Sequence, residues 1–375
     1  MPQAHMKKVF VVAGEASGDT IAGWYLAKRQ QQEQLYTEGI GGHAAQAAGM
    51  RLYESFHSLN VVGIVEIIKH LPRLMRKMRE IAAYIKREGF AEVILVDFPG
   101  FNLRLARLLK KQIPHIEVTY VSPPQLWVWG AWRLRGLKAT VDQLVVMYPF
   151  EVAWYQARGV DAVWLGSPVV QALEPHMTAP GGRGASILLL PGSRLSEVTV
   201  LLPVFLQVAD ALRARYESCS FVLPVPQSLT VVDYERIATA HGMQEALQGV
   251  QLVHGQVARY AVMQTACAAL AKPGTVTLEL GLLQVPTVIA FKTSWLSYVI
   301  GKRLVRVPRM GLANLLTGQD LHPEFIQDRC TVPVLVHALG QVVDAFLHDA
   351  GAYEVLVSRQ SAVRRALTAP MLSRC

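Results

Sequence analysis

Four short loops hold residues whose types and spacing suit chemistry on an anionic ligand. In Val-Asp-Phe-Pro-Gly-Phe-Asn (96–102), Asp97 directly follows the apolar run Val93–Val96. A carboxylate there can take a proton from a hydroxyl; its plainer role is to start the turn before Pro99-Gly100. In Pro191-Gly192-Ser193-Arg194, Gly192 permits close backbone approach, Ser193 adds a hydroxyl and Arg194 can fork onto phosphate oxygens. The plainer alternative is a surface loop with an Arg194–Glu197 pair. Gly274-Thr275 opening a helix is a second phosphate cradle. Glu279, a turn further on, suits the paired hydroxyls of a ribose. Gly14-Glu15-Ala16-Ser17-Gly18-Asp19 sets small residues and two carboxylates at a helix start, to meet a ligand or to cap the helix.

These loops need a frame. Val9–Val12, Val93–Val96 and Val118–Val121 are short β-branched runs, and helix-like stretches follow the first two, at about Thr20–Gln32 and Asn102–Gln112. A second series starts after Gly166: strands at Ile187–Leu190, Phe221–Val225, Ala266–Leu270 and Val285–Phe291, with a helical period from Val198 to Arg215. Strands alternating with helices build a parallel sheet covered on both faces, and ligands then bind beyond the strands' carboxyl ends. The Pro- and Gly-rich stretch 171–186 is the expected linker. A chain of 375 residues suits two such domains.

Composition narrows the partners. Hydrophobic residues make up 51% and charged ones 17%, which excludes a disordered chain. The net charge of +9 favours an anionic partner, a phosphorylated substrate or anionic lipid. No zinc-finger spacing, RNA-binding aromatic motif or basic tail points to nucleic acid. The four cysteines have no metal or redox spacing, and no His or carboxylate cluster suggests a metal. No apolar run reaches the ~18 residues of a transmembrane helix, and the N-terminal run Val9–Gly14 is too short for a secretory leader. The chain is therefore expected in the cytoplasm or on a membrane facing it. Two greasy stretches flanked by Lys and Arg suit a membrane interface or a core-facing helix. One contains Val61, Val62, Ile64, Val65, Ile67, Ile68 and Leu71, the other Trp295 and Tyr298.

In their order the motifs resemble one family, the lipid-A-disaccharide synthases. The matching pieces are VAGEASGD (12–19), VVGIVEII (61–68), VDFPGFN (96–102), YVSP (120–123) with WVW (127–129), PFE (149–151), LLPGSRLSEV (189–198), GTVTLE (274–279) and ANLLTGQDL (313–321). The chain departs from the usual pattern at Ser167, Pro273, His43 and a slightly longer Ser122–Trp127 segment.

The resemblance implies an α/β fold of GT-B type, two Rossmann-like doubly wound domains facing a central cleft. Residues 1–165 would form the acceptor and membrane-associated domain and 166–345 the UDP-sugar domain, with 346–375 a helical segment crossing back to the first. It implies an inverting transfer from UDP-2,3-diacylglucosamine to 2,3-diacylglucosamine 1-phosphate (lipid X), without cofactor or metal. Asp97 would be the base, with Glu15 beside it. Gly192, Ser193, Arg194, Gly274, Thr275, Glu279 and Asn314 would bind UDP, and Ser17, Gly18 and Asp19 would shape the acceptor side. The enzyme would be peripheral on the inner face of the cytoplasmic membrane, would bind no nucleic acid, and could form a homodimer. The residues themselves leave three alternatives open: a MurG-like transferase, a UDP-N-acetylglucosamine 2-epimerase, or a non-catalytic nucleotide-sugar-binding protein.

Overall fold

Apolar strand runs separated by helices fold into two parallel sheets. The computed structural model describes residues 6–59, 64–177, 182–304 and 307–368. The chain divides into two units, Met1–Pro168 and Val169–Cys375, close to the expected boundary at 165/166.

The first unit runs β1 (Lys7–Ala13), α1 (Ala16–Gln30), β2 (Leu35–Gly41), α2 (His43–Ala47), β3 (Arg51–Ser55), α3 (Ile64–Glu88), β4 (Glu92–Val96), α4 (Pro99–Gln112), β5 (Glu117–Val121), α5 (Leu134–Lys138), β6 (Gln143–Val146), α6 (Pro149–Gln156) and β7 (Ala162–Trp164). Its seven strands are ordered β3-β2-β1-β4-β5-β6-β7, all parallel. β4 is buried along its whole length, as expected of a strand covered on both faces. Phe10, Val12, Val93 and Leu95 pack with Ile81 and Ile85 of α3 and Leu105 and Leu109 of α4.

α7 (Pro168–Leu173) leads into the second unit: β8 (Gly184–Leu190), α8 (Leu195–Arg215), β9 (Ser220–Pro224), α9 (Val231–Ala240), α10 (Gln244–Gln248), β10 (Val250–Val253), α11 (Gln256–Thr265), β11 (Ala266–Ala271), α12 (Val276–Leu282), β12 (Thr287–Phe291), α13 (Trp295–Leu304), α14 (Leu312–Thr317), β13 (Glu324–Ile326), α15 (Val332–His348), α16 (Ala350–Arg359) and α17 (Ser361–Thr368). Six parallel strands are ordered β10-β9-β8-β11-β12-β13.

Residues 346–368 group with the second unit, where α17 packs on α12 and α14 and Val363 lies against Gly281. Part of the expected linker is structured: Arg183 donates to the carbonyls of Gln264, Ala266, Leu283 and Gln284. Among the described residues one helix, α8, is long and apolar enough to span a membrane by composition. Its Leu201, Leu202, Phe205, Leu206 and Leu212 are instead buried in the second core. Of the cysteines, Cys219, Cys267 and Cys330 are buried free thiols, and Cys375 lies outside the described residues.

Candidate active site

In both sheets the strand order reverses once near the centre, between β1 and β4 and between β8 and β11. At such a reversal the helices leave to opposite faces and open a crevice at the strands' carboxyl ends. The first crevice lies between the Gly14–Asp19 loop and Asp97. The second lies between the Pro191–Arg194 loop and Lys272–Thr275. In register, Ala13 pairs with Val96 and Leu190 with Ala271, so each pair of loops emerges side by side.

Asp97 is partly buried and held through its backbone. Its N–H donates to the Val121 carbonyl at 3.0 Å. Its carbonyl accepts from the Tyr120 hydroxyl at 2.7 Å and from Asn102 Nδ2 at 2.8 Å. Asp97 (φ 48°) and Phe98 (φ 47°) are both left-handed, as is Ser122 (φ 55°) after the neighbouring β5. Non-glycine residues in this region are strained and persist only where the surroundings impose them. The imposing partners are buried: Tyr120 and Asn102 are both 0% exposed. Phe98 also seats its ring on Gly14, where a Cβ would lie 2.4 Å from the ring. A glycine is therefore required there, and it locks the two loops together.

Glu15 is the N-cap of α1 but makes no side-chain capping bond. Ser17 is exposed and Gly18 buried in the first turn. Asp19, expected on the acceptor side, is turned inward. Its carboxylate accepts from the N–H groups of Gly42 (2.7 Å), Ala44 (2.9 Å) and Ala45 (3.1 Å). It thus anchors the start of α2.

The PFE motif has a local task. Glu151, 2% exposed, accepts from Trp127 Nε1 at 2.7 Å and from the N–H groups of Met147 and Tyr148 at 2.9 Å. It ties down the segment after β5. Burial raises the Glu151 pKa, against the pull of these three donors.

In the second unit, Gly192 has φ 139°, and a Cβ there would sit 2.7 Å from Glu197 Oε2. Glu197 Oε2 accepts from the Ser193 and Arg194 N–H groups at 3.2 and 3.4 Å, a capping box at the start of α8. Its Oε1 meets Lys272 Nζ at 2.9 Å and Arg194 at 3.5 Å. Burial raises the Glu197 pKa, but Lys272, the Ser193 N–H and Arg194 outweigh it and the pKa is lowered. Ser228 donates to the Ser193 carbonyl at 2.6 Å. The Arg194 side chain is 74% exposed, so its pair with Glu197 is weak and the guanidinium is available to an anion. Gly274 and the exposed Thr275 open α12 as expected.

Two of the expected donor residues have partners within the fold. Glu279 is 8% exposed and ion-paired to Arg259 of α11. Burial raises its pKa, against the Arg259 charge. The Asn314 side chain is spent inside the fold. It donates to the His322 carbonyl at 2.7 Å and Glu324 Oε1 at 2.8 Å, and accepts from the His322 N–H at 2.9 Å. At 1% exposure it shapes the α14 loop.

Of the expected membrane-facing residues, Val61 and Val62 lie outside the described residues. So do the side chains of Ile64, Val65, Ile67, Ile68 and Leu71, whose backbone opens α3. Trp295 is 73% exposed and Tyr298 partly so. Sequence reasoning gave no role to Lys272, Arg259, Tyr120 and Asn102, although Tyr120 opens the YVSP motif, Asn102 closes VDFPGFN and Lys272 stands two residues before the Gly274-Thr275 cradle. Among the described residues no cluster of three or more His, Cys, Asp or Glu side chains could hold a metal ion.

Two doubly wound units, each with its loops at a strand-order reversal, define a protein of the two-domain GT-B fold. Solved structures share the fold. S. aureus MnaA with UDP matches at a TM-score of 0.61 and 10% identity, covering 96% of this chain and 92% of that one. A UDP-GlcNAc 2-epimerase from Neisseria meningitidis bound to UDP-GlcNAc matches at 0.57 and 10%, covering 96% and 95%. At the level of sequence, residues 9–347 match the family described as Lipid-A-disaccharide synthetase. The lipid-A-disaccharide synthase of Geobacter metallireducens is 34% identical over 358 residues, 93% of this chain and 91% of that protein. That of Syntrophus aciditrophicus is 37% identical over 334 residues, 86% and 84%. The chain belongs to the lipid-A-disaccharide synthase family, glycosyltransferases of lipid A biosynthesis. Membership decides against the epimerase, MurG-like and non-catalytic alternatives that the motifs left open.

Proposed function

We propose that the chain transfers 2,3-diacylglucosamine from UDP to the 6-hydroxyl of 2,3-diacylglucosamine 1-phosphate, with inversion at the anomeric carbon. Asp97 takes the hydroxyl proton as the oxygen attacks, and UDP leaves with its diphosphate neutralised by Arg194 and cradled by the Gly274-Thr275 loop. Lys272 assists by holding Glu197, which fixes the Ser193 and Arg194 amides. Arg is charged at every working pH, so this leaving-group site carries its own positive charge. Glu15 lines the acceptor side with Ser17 and Gly18. The enzyme works as a peripheral protein on the cytoplasmic face of the inner membrane, and a homodimer is compatible with this reading.

The observation that carries the assignment is the strained, backbone-clamped Asp97 at the strand-order reversal of the first sheet. The test is Asp97→Asn in detergent with UDP-diacylglucosamine and lipid X, following UDP release and disaccharide. Turnover should fall on the order of 10²–10⁴-fold with donor affinity kept. Unchanged turnover would remove Asp97 as the base, and no disaccharide from the unaltered protein would remove the reaction.

A further inference from the structure

The first unit carries an exposed aromatic and basic surface to which the proposed reaction assigns no step. Trp129 and Trp132 are 40% and 67% exposed, their rings meet edge to face at 6.0 Å, and the Arg133 guanidinium lies 4.3 Å over the Trp129 ring. On α4, Gly100, Arg104, Arg107 and Lys111 form one exposed stripe, opposite the buried Leu105 and Leu109. α5 lies beside that stripe, since a Cβ on Gly136 would be 2.5 Å from Arg107 Nη2. It adds the exposed Arg135 and Lys138.

From Phe98 to Val141 the chain has seven Lys and Arg and one acid, Glu117, which is paired with Lys7. Of the seven, only Lys110 has a carboxylate partner among the described residues, Asp142. Six unneutralised cations beside two exposed indoles would repel one another on an isolated soluble surface. They complement a surface that offers negative charge and an apolar boundary together. A nucleic acid offers the charge without the boundary.

We propose that this face, the α4 stripe with Trp129, Trp132 and α5, docks on an anionic lipid bilayer. The cations meet the headgroups and the indoles enter the interface. Because α4 starts at Phe98, the docking face is the outer side of the helix whose first residues carry the base. The inference extends the membrane reading above to a surface which that reading does not invoke.

The test is flotation of the full chain with vesicles of phosphatidylcholine alone or mixed with phosphatidylglycerol, at low and high salt. The unaltered protein should float with the anionic vesicles and much less with the neutral ones. Arg104→Gln/Lys111→Gln/Lys138→Gln should weaken binding roughly a hundredfold at low salt, about fivefold per cation. Trp132→Ser should weaken it severalfold with a loss that persists in high salt. Both variants change exposed side chains, and disaccharide synthesis in detergent serves as the check that they fold. If the unaltered protein floats and both variants float equally well, this face is not the docking surface and the membrane reading stands on other residues. Failure of the unaltered protein to float overturns both. Tighter binding to a single-stranded RNA that strips the protein from vesicles would assign the cations to nucleic acid instead.

Discussion

Tyr120→Phe tests whether backbone clamping of Asp97 matters for turnover. The change removes one oxygen from a fully buried ring and leaves its packing intact. Two consecutive left-handed residues, Asp97 and Phe98, cost roughly 1–2 kcal/mol each. Three hydrogen bonds to the Asp97 backbone oppose that strain, each worth about 1 kcal/mol net: its N–H to Val121, and its carbonyl with Tyr120 and with Asn102. The two sums nearly balance, so losing one bond shifts the loop by about 1 kcal/mol, roughly a fivefold change in population. The kcat should fall about fivefold, with KM for donor and acceptor nearly unchanged because the donor loops lie in the other unit. The assay is initial-rate kinetics with detergent-dispersed substrates, beside a urea melt that should show a loss of about 1 kcal/mol. A melt shifted by that amount with kcat unchanged would refute the reasoning: the clamp would then serve the fold and not the carboxylate.

Other outcomes follow from the second unit. Lys272→Met should weaken UDP competition roughly tenfold, since Glu197 loses its main counter-charge and the Ser193 and Arg194 amides lose their anchor. UDP affinity equal to that of the unaltered protein would exclude the role. Arg194→Ala should leave the melting temperature unchanged, because the side chain is 74% exposed, while UDP inhibition weakens. Inhibition that does not change counts against a phosphate contact. His322 is fully buried, with Nε2 on Gln360 Oε1 at 2.8 Å, and burial lowers its pKa from 6.5 to about 4. Between these values the unfolded chain binds the proton and the folded chain does not. Stability from this group is therefore full above about pH 6.5 and falls by about 1.4 kcal/mol per unit as the pH drops toward 4. Urea melts of His322→Gln should show a flatter acid limb than those of the unaltered protein; identical limbs would show that His322 is not the group responsible.

Residue types and local order were enough to set the chemistry available and where along the chain it lies. Asp97, the Pro191–Arg194 loop and the Gly274-Thr275 cradle were legible because each joins an apolar run to a turn, a signal contained in a few neighbouring residues. The motifs in their order also specified the family. Strands such as β2, with the buried polar residues Thr37 and Glu38, and the three-residue β7 and β13 were not legible, because their apolar pattern is broken or too short. Tertiary structure alone decided which loops meet. Pairing of β1 with β4 and of β8 with β11 joins segments far apart in the chain, and no local period encodes it. It also decided which polar side chains remain for a ligand. Asp19 and Asn314 each face buried backbone groups that must be hydrogen-bonded, and their side chains supply those bonds. Arg194 faces none and remains exposed at the mouth of its loop.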